Sequence, residues 1–326
     1  YITMSSTGNA IDFGNLLAAN SGVAGASSPT RAIWMGGTAP STTNVIQFVE
    51  INTTGNTVDF GDLATATQNS SCSSSSTRAV LNGGYAGGAA STLTFITMAS
   101  QGNSNDFGDK TEASDSCGGT SNSVRAITAG GGTSTVIDFY NISTGGTALD
   151  FGDLTVGRAT PNATSTAHGG LSDGYQGTRI RPIPQGGGAG QRALLGGGSS
   201  PARSSLIQEI QINTLGNASQ FGNLTTVGYG RSAVGSSTRA IFGGGNEDGN
   251  PGDDFIDYVT FVHRGNAADF GNLTVAGFNM GGGMCSDTRG IFSSRGTPSI
   301  QNVMDYVTMA SVGNATDFGD LSVSRN

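Results

Sequence analysis

The chain has 326 residues, with 15 Lys and Arg against 23 Asp and Glu, a net charge of -8, and only 12% of its residues charged. This sparse acidic balance excludes recognition of nucleic acid through a basic surface, and no apolar run approaches the roughly 18 residues of a membrane-crossing helix. The 54 glycines would suggest disorder if scattered, but they fall at fixed offsets between apolar segments, which argues for an ordered repeat.

From the N-terminus, Asp12-Phe13-Gly14-Asn15-Leu16 returns as Asp59-Phe60-Gly61-Asp62-Leu63 and then around Phe107, Phe151, Phe221, Phe270 and Phe318. The spacings between these phenylalanines are 47, 47, 44, 70, 49 and 48 residues. A period near 47 rich in β-branched residues and glycine is the signature of a propeller or another radial array. The chain opens inside a repeat, on Tyr1, without a methionine or a basic-then-apolar leader, so its true start is expected to be missing or processed away.

Each unit predicts four short strands. The first is a small-residue stretch such as Gly281-Gly282-Gly283-Met284-Cys285-Ser286. The second opens on an arginine and ends in glycines, at Arg31, Arg78, Arg125, Arg192, Arg239 and Arg289. The third alternates apolar and polar residues, as in Phe255-Ile256-Asp257-Tyr258-Val259-Thr260-Phe261, the period of a half-buried strand. It holds the aromatic twelve positions before each phenylalanine, at Tyr1, Phe48, Phe95, Phe139, Tyr258 and Tyr306, with Glu209 the exception. The fourth carries the Asp-Phe-Gly phrase, reached through turns such as Gly55-Asn56 and Gly102-Asn103, whose residues tolerate positive φ.

A lone four-stranded sheet cannot bury both faces, so neighbouring blades must stack on it. Phe13, Phe60, Phe107, Phe151, Phe221, Phe270 and Phe318, with their upstream aromatics, are the expected packing between blades. A once-per-blade arginine points to a structural role, pairing a carboxylate or capping carbonyls of the next blade, with surface ligand binding as the alternative. The recurring aspartate is expected to accept from local backbone amides.

Seven Phe-Gly steps stand against six arginine segments. The expected fold is an all-β propeller of four-stranded blades forming one domain over 1–326, with seven blades favoured. The alternatives are six blades with a spare N-terminal hairpin, or a ring patched by the long insertion. For seven blades, the missing first two strands belong after Asn326 or before Tyr1.

Irregularity marks the candidate partner surface. The 70-residue spacing locates an insertion within 157–190 that includes His168, Tyr175, Arg179 and Arg181. An acidic loop at 246–254 contains Asp248 and Asp253, and another loop carries Tyr85. Strand alternation puts all three connections on one face of the disc, the expected contact face, with the insertion at its centre. The acidic loop reads as solvated, with calcium binding the alternative.

No catalytic, cofactor or metal set emerges. Seven copies of the phrase, six reading Asp-Phe-Gly and one Gln220-Phe221-Gly222, without a lysine strand or a catalytic loop are not the kinase metal element. The glycine clusters lack the lysine and helix of a phosphate loop. His168 and His263 fall in different repeats, and no His/Cys/carboxylate spacing fits zinc, copper or iron. A Ser-His-Asp set around His168 and Asp173 has no nucleophile elbow to fix it. Cys72, Cys117 and Cys285 lie in different blades and read as small buried thiols.

The order of a glycine-terminated apolar strand, an aromatic strand, a turn and a strand with one large aromatic resembles the kelch repeat. The chain departs from kelch in carrying Phe where Trp is usual, and in its arginine. Units reading Thr288-Arg289-Gly290-Ile291-Phe292, then Tyr306-Val307-Thr308, then Gly313-Asn314-Ala315-Thr316-Asp317-Phe318-Gly319-Asp320-Leu321 resemble more closely the kelch-like repeats in structural proteins of marine tailed bacteriophages, cyanophages among them. The resemblance spans nearly the whole chain. It implies a non-enzymatic virion protein without cofactors, on a tail, fibre or capsid surface of the extracellular particle, serving assembly or host attachment. The implied partners are other virion proteins, a host-surface glycan or protein, and further copies in a larger homo-oligomeric assembly, with no nucleic acid and no membrane span. The alternatives are a secreted bacterial carbohydrate-binding or surface-layer module, and an enzyme built on a propeller. Glycan binding would use Tyr85, Tyr175 and Tyr229.

Overall fold

Short runs of β-branched and aromatic residues, each stopped by glycine or by a Ser/Thr turn, can form strands but are too brief for helices. The computed structural model describes the chain except for residues 123, 160–161, 166–191, 200–201, 247–251, 278–281, 287, 297–298 and 325–326. The described residues form 24 strands in six four-stranded antiparallel sheets and no helix.

Blade one comprises β1 (Ala24–Ser27), β2 (Arg31–Met35), β3 (Val45–Glu50) and β4 (Val58–Asp62). Blade two is β5 (Ser71–Ser74), β6 (Arg78–Tyr85), β7 (Ala89–Thr97) and β8 (Asn105–Asp109). Blade three is β9 (Gly118–Ser121), β10 (Arg125–Ala129), β11 (Val136–Asn141) and β12 (Leu149–Asp153). Blade four is β13 (Asn162–Ser165), β14 (Arg192–Gly196), β15 (Leu206–Gln211) and β16 (Ser219–Asn223). Blade five is β17 (Ser232–Gly235), β18 (Arg239–Gly243), β19 (Asp253–Thr260) and β20 (Ala268–Gly277). Blade six is β21 (Gly282–Cys285), β22 (Arg289–Arg295), β23 (Gln301–Thr308) and β24 (Thr316–Asp320). Strand order follows chain order in every sheet. The innermost strands pack in series around the axis, β1 on β5, β5 on β9, β9 on β13, β13 on β17 and β17 on β21.

Six complete blades therefore stand where seven were expected. The number of blades follows the arginine segments, because each complete sheet needs its own second strand. The extra Phe-Gly step belongs to an N-terminal hairpin, Tyr1–Leu16. There the Tyr1 ammonium donates to the Ile11 carbonyl at 2.7 Å and the Ile11 amide donates back at 2.9 Å. This repeats the pairing of Phe48 with Val58 in blade one.

The hairpin is stitched into the rim. The turn glycine of each unit donates its amide to the phenylalanine carbonyl of the preceding unit, from Gly55 to Phe13 at 2.7 Å, through Gly102, Gly146, Gly216, Gly265 and Gly313. The circle closes from Gly8 to Phe318 at 2.6 Å. Crossing chains leave no room for a side chain on the glycine of the Phe-Gly step. A Cβ on Gly14, at φ +148, would lie 2.1 Å from the Gly55 carbonyl oxygen, and one on Gly319 would lie 2.4 Å from that of Gly8.

Six of the seven phenylalanines, Phe60 to Phe318, are buried in the seams, whereas Phe13 is half-buried beside a cavity. Phe60 clusters with Ala79, Leu81, Ile96 and Met98 of the next blade, and Phe151 with Ala193, Leu195, Ile210 and Ile212. All but Phe221, whose upstream residue is Glu209, also meet their upstream aromatic edge to face, with Phe48 and Phe60 at 5.6 Å and Phe95 and Phe107 at 5.9 Å. Burial of 150–250 Å² per ring makes these seams the principal apolar cores of the disc.

Candidate functional site

The repeated arginine is spent on the fold. Arg31 stacks over Phe48 of its own blade at 4.8 Å while its Nη1 donates to the Met98 carbonyl of the next at 2.9 Å. The same pair of contacts recurs with Arg78 (Phe95 and Ile142), Arg125 (Phe139 and Ile212) and Arg239 (Tyr258 and Met309). Arg289 stacks on Tyr306 at 4.7 Å and donates to the Met4 carbonyl of the hairpin at 3.0 Å. A planar guanidinium can satisfy a ring face and a carbonyl together, which an ammonium cannot do in the same geometry. Blade four explains the Glu209 exception. With no ring to stack on, Arg192 pairs its Nε with the buried Glu209 carboxylate at 3.4 Å and still donates to the Phe261 carbonyl.

The Asp-Phe-Gly aspartates accept from the glycine amide two residues on, at 2.9 Å for Asp12 and Gly14 and 3.2 Å for Asp59 and Gly61. A further set of acids went unnoticed in the sequence. Asp138, Asp257 and Asp305, each just before a third-strand aromatic, are buried and accept from the amide and hydroxyl of Thr111, Thr225 and Thr274 of the preceding blade. Their signal was a Thr four residues after the Phe of one unit and an Asp one before the aromatic of the next. Burial pushes the Asp138 carboxyl above its ordinary range, opposed by the Thr111 hydrogen bonds and by Lys110.

The connections after the second and fourth strands meet on one face, as strand alternation requires. They bond to each other, for example Gly37 to the Thr67 carbonyl at 2.8 Å and Gly198 to that of Gly228 at 3.0 Å. Tyr85 lies here, 40% exposed, bridged to Gln68. Tyr229 is half-buried beneath the Arg203 guanidinium at 5.1 Å. Asp253 opens β19 on the same face and is 2% exposed, its amide bound to the Gly245 carbonyl at 2.9 Å. His168, Tyr175, Arg179, Arg181 and Asp248 lie outside the described residues. Arg158, in the connection from β12 to β13, is buried and donates to the Gly197 and Leu206 carbonyls. The added length of blade four was expected in this connection; it falls instead between β13 and β14, which join on the face of the Gly-Asn turns, because 162–165 already forms the first strand.

Two cavities lie at the axis and beside the hairpin. The axial one, about 580 Å³, is lined by small residues of the innermost strands, among them Ala26, Ser74, Gly119 and Val234, with Cys72 and Cys285. Burial pushes the Cys72 thiol up to about 12, so it stays protonated and unreactive at neutral pH. The lateral one, about 450 Å³, opens between the hairpin and blade one and is lined by Tyr1, Phe13, Ala32, Trp34, Val49 and Ile51. Ala32 and Trp34 line both. Sequence reasoning did not single out Trp34 or Ile51, although the mismatch of seven steps to six arginines pointed to this sector.

Among the described residues no three His, Cys, Asp or Glu gather as metal ligands, and no helix is long and apolar enough to cross a membrane. These features define a β-propeller with six four-stranded blades and one outer hairpin. No family model and no curated protein matches the chain in sequence.

Proposed function

We propose that the chain is a non-enzymatic virion protein of a tailed bacteriophage. In this reading it is a kelch-like propeller on the tail, fibre or capsid surface that serves assembly, host attachment or both. The observation that carries the reading is the resemblance of its repeat units, from the arginine strand through the Asp-Phe-Gly strand, to those of phage structural proteins. The arrangement of the disc fits it. One face carries the uniform turns whose glycines close the rim, and there too the chain leaves β13 at Ser165 and re-enters β14 at Arg192, the longest connection in the disc; the other face carries the Tyr85 loop. Variable loops on a rigid scaffold are where partners are met. Those partners would be other virion proteins, a host-surface glycan or protein, and further copies of the chain on the extracellular particle.

Deletion of 165–188 tests this. The shortened chain is expected to keep the β-sheet circular dichroism and cooperative unfolding of the parent while failing to enter particles or to support adsorption. Particles assembled and adsorbing as before would defeat the proposal. The exposure of Tyr85 on the face opposite the turns favours a second reading, a secreted bacterial carbohydrate-binding or surface-layer module. Saturable binding of one glycan class by the isolated chain, with no corresponding density on particles, would select it.

A further inference from the structure

Among the described residues three cations are buried, Lys110, Arg158 and Arg231, at 4%, 1% and 3% exposed. They follow the fourth strands of blades two, three and four, so each sits in the seam with the next blade. Two of them face a carboxylate. Arg231 Nη1 lies 3.9 Å from Asp257, and Lys110 shares a small polar cavity with Asp138. Arg158 pairs with no carboxylate of the described residues. We propose that the seam between blades three and four is an anion site, in which Arg158 holds a monovalent halide of chloride size.

The seams are built alike, which places the Arg158 guanidinium. Between blades two and three, one cavity is lined by Lys110, Glu112, Gly130, Val136 and Asp138, among others. The Gly130 amide donates to the Val136 carbonyl there, as the Gly197 amide donates to the Leu206 carbonyl in blade four. Arg158 Nη1 donates to the carbonyls of that second pair, Gly197 and Leu206, so its guanidinium lies in the corresponding place. There the acids are gone. Gln208 stands where Asp138 and Asp257 stand, one residue before the position of the third-strand aromatic, and Val156 stands where Glu112 does, five residues after the phenylalanine. Arg158 Nε and Nη2 are buried without a hydrogen-bond partner, and so is Gln208 Oε1.

Burial pulls the Arg158 guanidinium down to about 10, so it stays charged at neutral pH. A buried charge without a counter-charge is strongly destabilising, and water offers hydrogen-bond acceptors but no charge. An anion offers both. Gln208 suits one as well. Its Nε2 donates to the Thr155 hydroxyl, whereas Asp138 and Asp257 accept from the hydroxyls of Thr111 and Thr225. Turning the Gln208 amide over restores the pattern of those seams, with Oε1 accepting from Thr155 and the NH2 donating where the unpartnered oxygen stood. Size selects the anion. The corresponding cavity beside Lys110 is about 10 Å³, room for a single water-sized group, which admits a halide and excludes phosphate, sulfate and carboxylate.

Thermal unfolding of chain 1–326 at fixed ionic strength tests this, with sodium chloride or sodium bromide replacing sodium gluconate. The midpoint is expected to rise with either halide and to follow one-site linkage, gaining several degrees when the halide exceeds its dissociation constant about a hundredfold. Gln208→Glu supplies the carboxylate that the neighbouring seams possess. Its midpoint in gluconate should exceed that of the parent, and chloride should add nothing to it. Arg158→Met should likewise lose the chloride response. Diffraction from a bromide-soaked crystal of the parent should show an anomalous peak against Arg158 Nε and Nη2, a readout that does not depend on either variant folding. A parent indifferent to halide, an equal chloride response in the parent and Gln208→Glu, or a water only at Arg158, with no anomalous peak, would overturn the proposal.

Discussion

At the scale of single residues, the Phe-Gly step is a crossing point of two chains. The phenylalanine fills a seam, its carbonyl accepts from the next unit, and the glycine makes room for that unit's backbone. Gly61 has φ +147, and a Cβ there would lie 2.4 Å from the Gly102 carbonyl oxygen. Gly61→Ala is therefore expected to destabilise the ring by about 2–4 kcal/mol, combining backbone strain with a clash that only a shift of the next blade relieves. Gly55→Ala, at a turn glycine with open space around its Cβ, should cost less than about 1 kcal/mol. Urea midpoints of the two variants compare them directly, and equal midpoints would contradict this role for the Phe-Gly glycine. The motif was legible in the sequence because it repeats. Its reason was not, because the obstructing carbonyl belongs to a residue 41 positions away from Gly61.

At the scale of elements, the third strands of blades three, five and six are held to the preceding blade by a polar strap as well as by their cores. The strap at Asp138 carries a measurable sign. Its carboxyl binds a proton more tightly folded than unfolded, because burial outweighs the Thr111 hydrogen bonds. The stability it contributes is therefore greatest below the ordinary carboxylate value of 3.8, and it is lost as pH rises through the raised folded value. In Asp138→Asn that dependence is removed. The unfolding free energy of the parent minus that of the variant should fall with rising pH across this window and then level off. A difference that rises with pH would mean that the Thr111 hydrogen bonds, not burial, dominate. The strands themselves were legible from alternation and from their glycine stops, and the arginine's carbonyl-capping role from its recurrence. The straps were not, since the Thr and its Asp are 27 to 32 residues apart in different units and only the blade seam brings them together.

At the scale of the whole molecule, counting units gave the architecture but misjudged its completeness. Seven Phe-Gly steps predicted seven blades, and the rim does have seven stitches. The sheets follow the six arginine segments instead, because Tyr1–Leu16 supplies only the outer pair of a seventh unit. The face of the Tyr85 loop was legible from strand direction, but that of the insertion was not, since the short strand β13 forms before it and moves it to the turn face; Trp34 and Ile51 were not legible either. Nothing in their local sequence sets them apart from their buried counterparts Leu81 and Met98, and only the cavity beside the hairpin exposes them. An experimental density map of chain 1–326 viewed down the axis tests this arrangement most directly. Six four-stranded sectors are expected, with the Tyr1–Leu16 hairpin completing the rim between sectors six and one. Seven full sectors, or six evenly spaced sectors with the hairpin outside the rim, would contradict it.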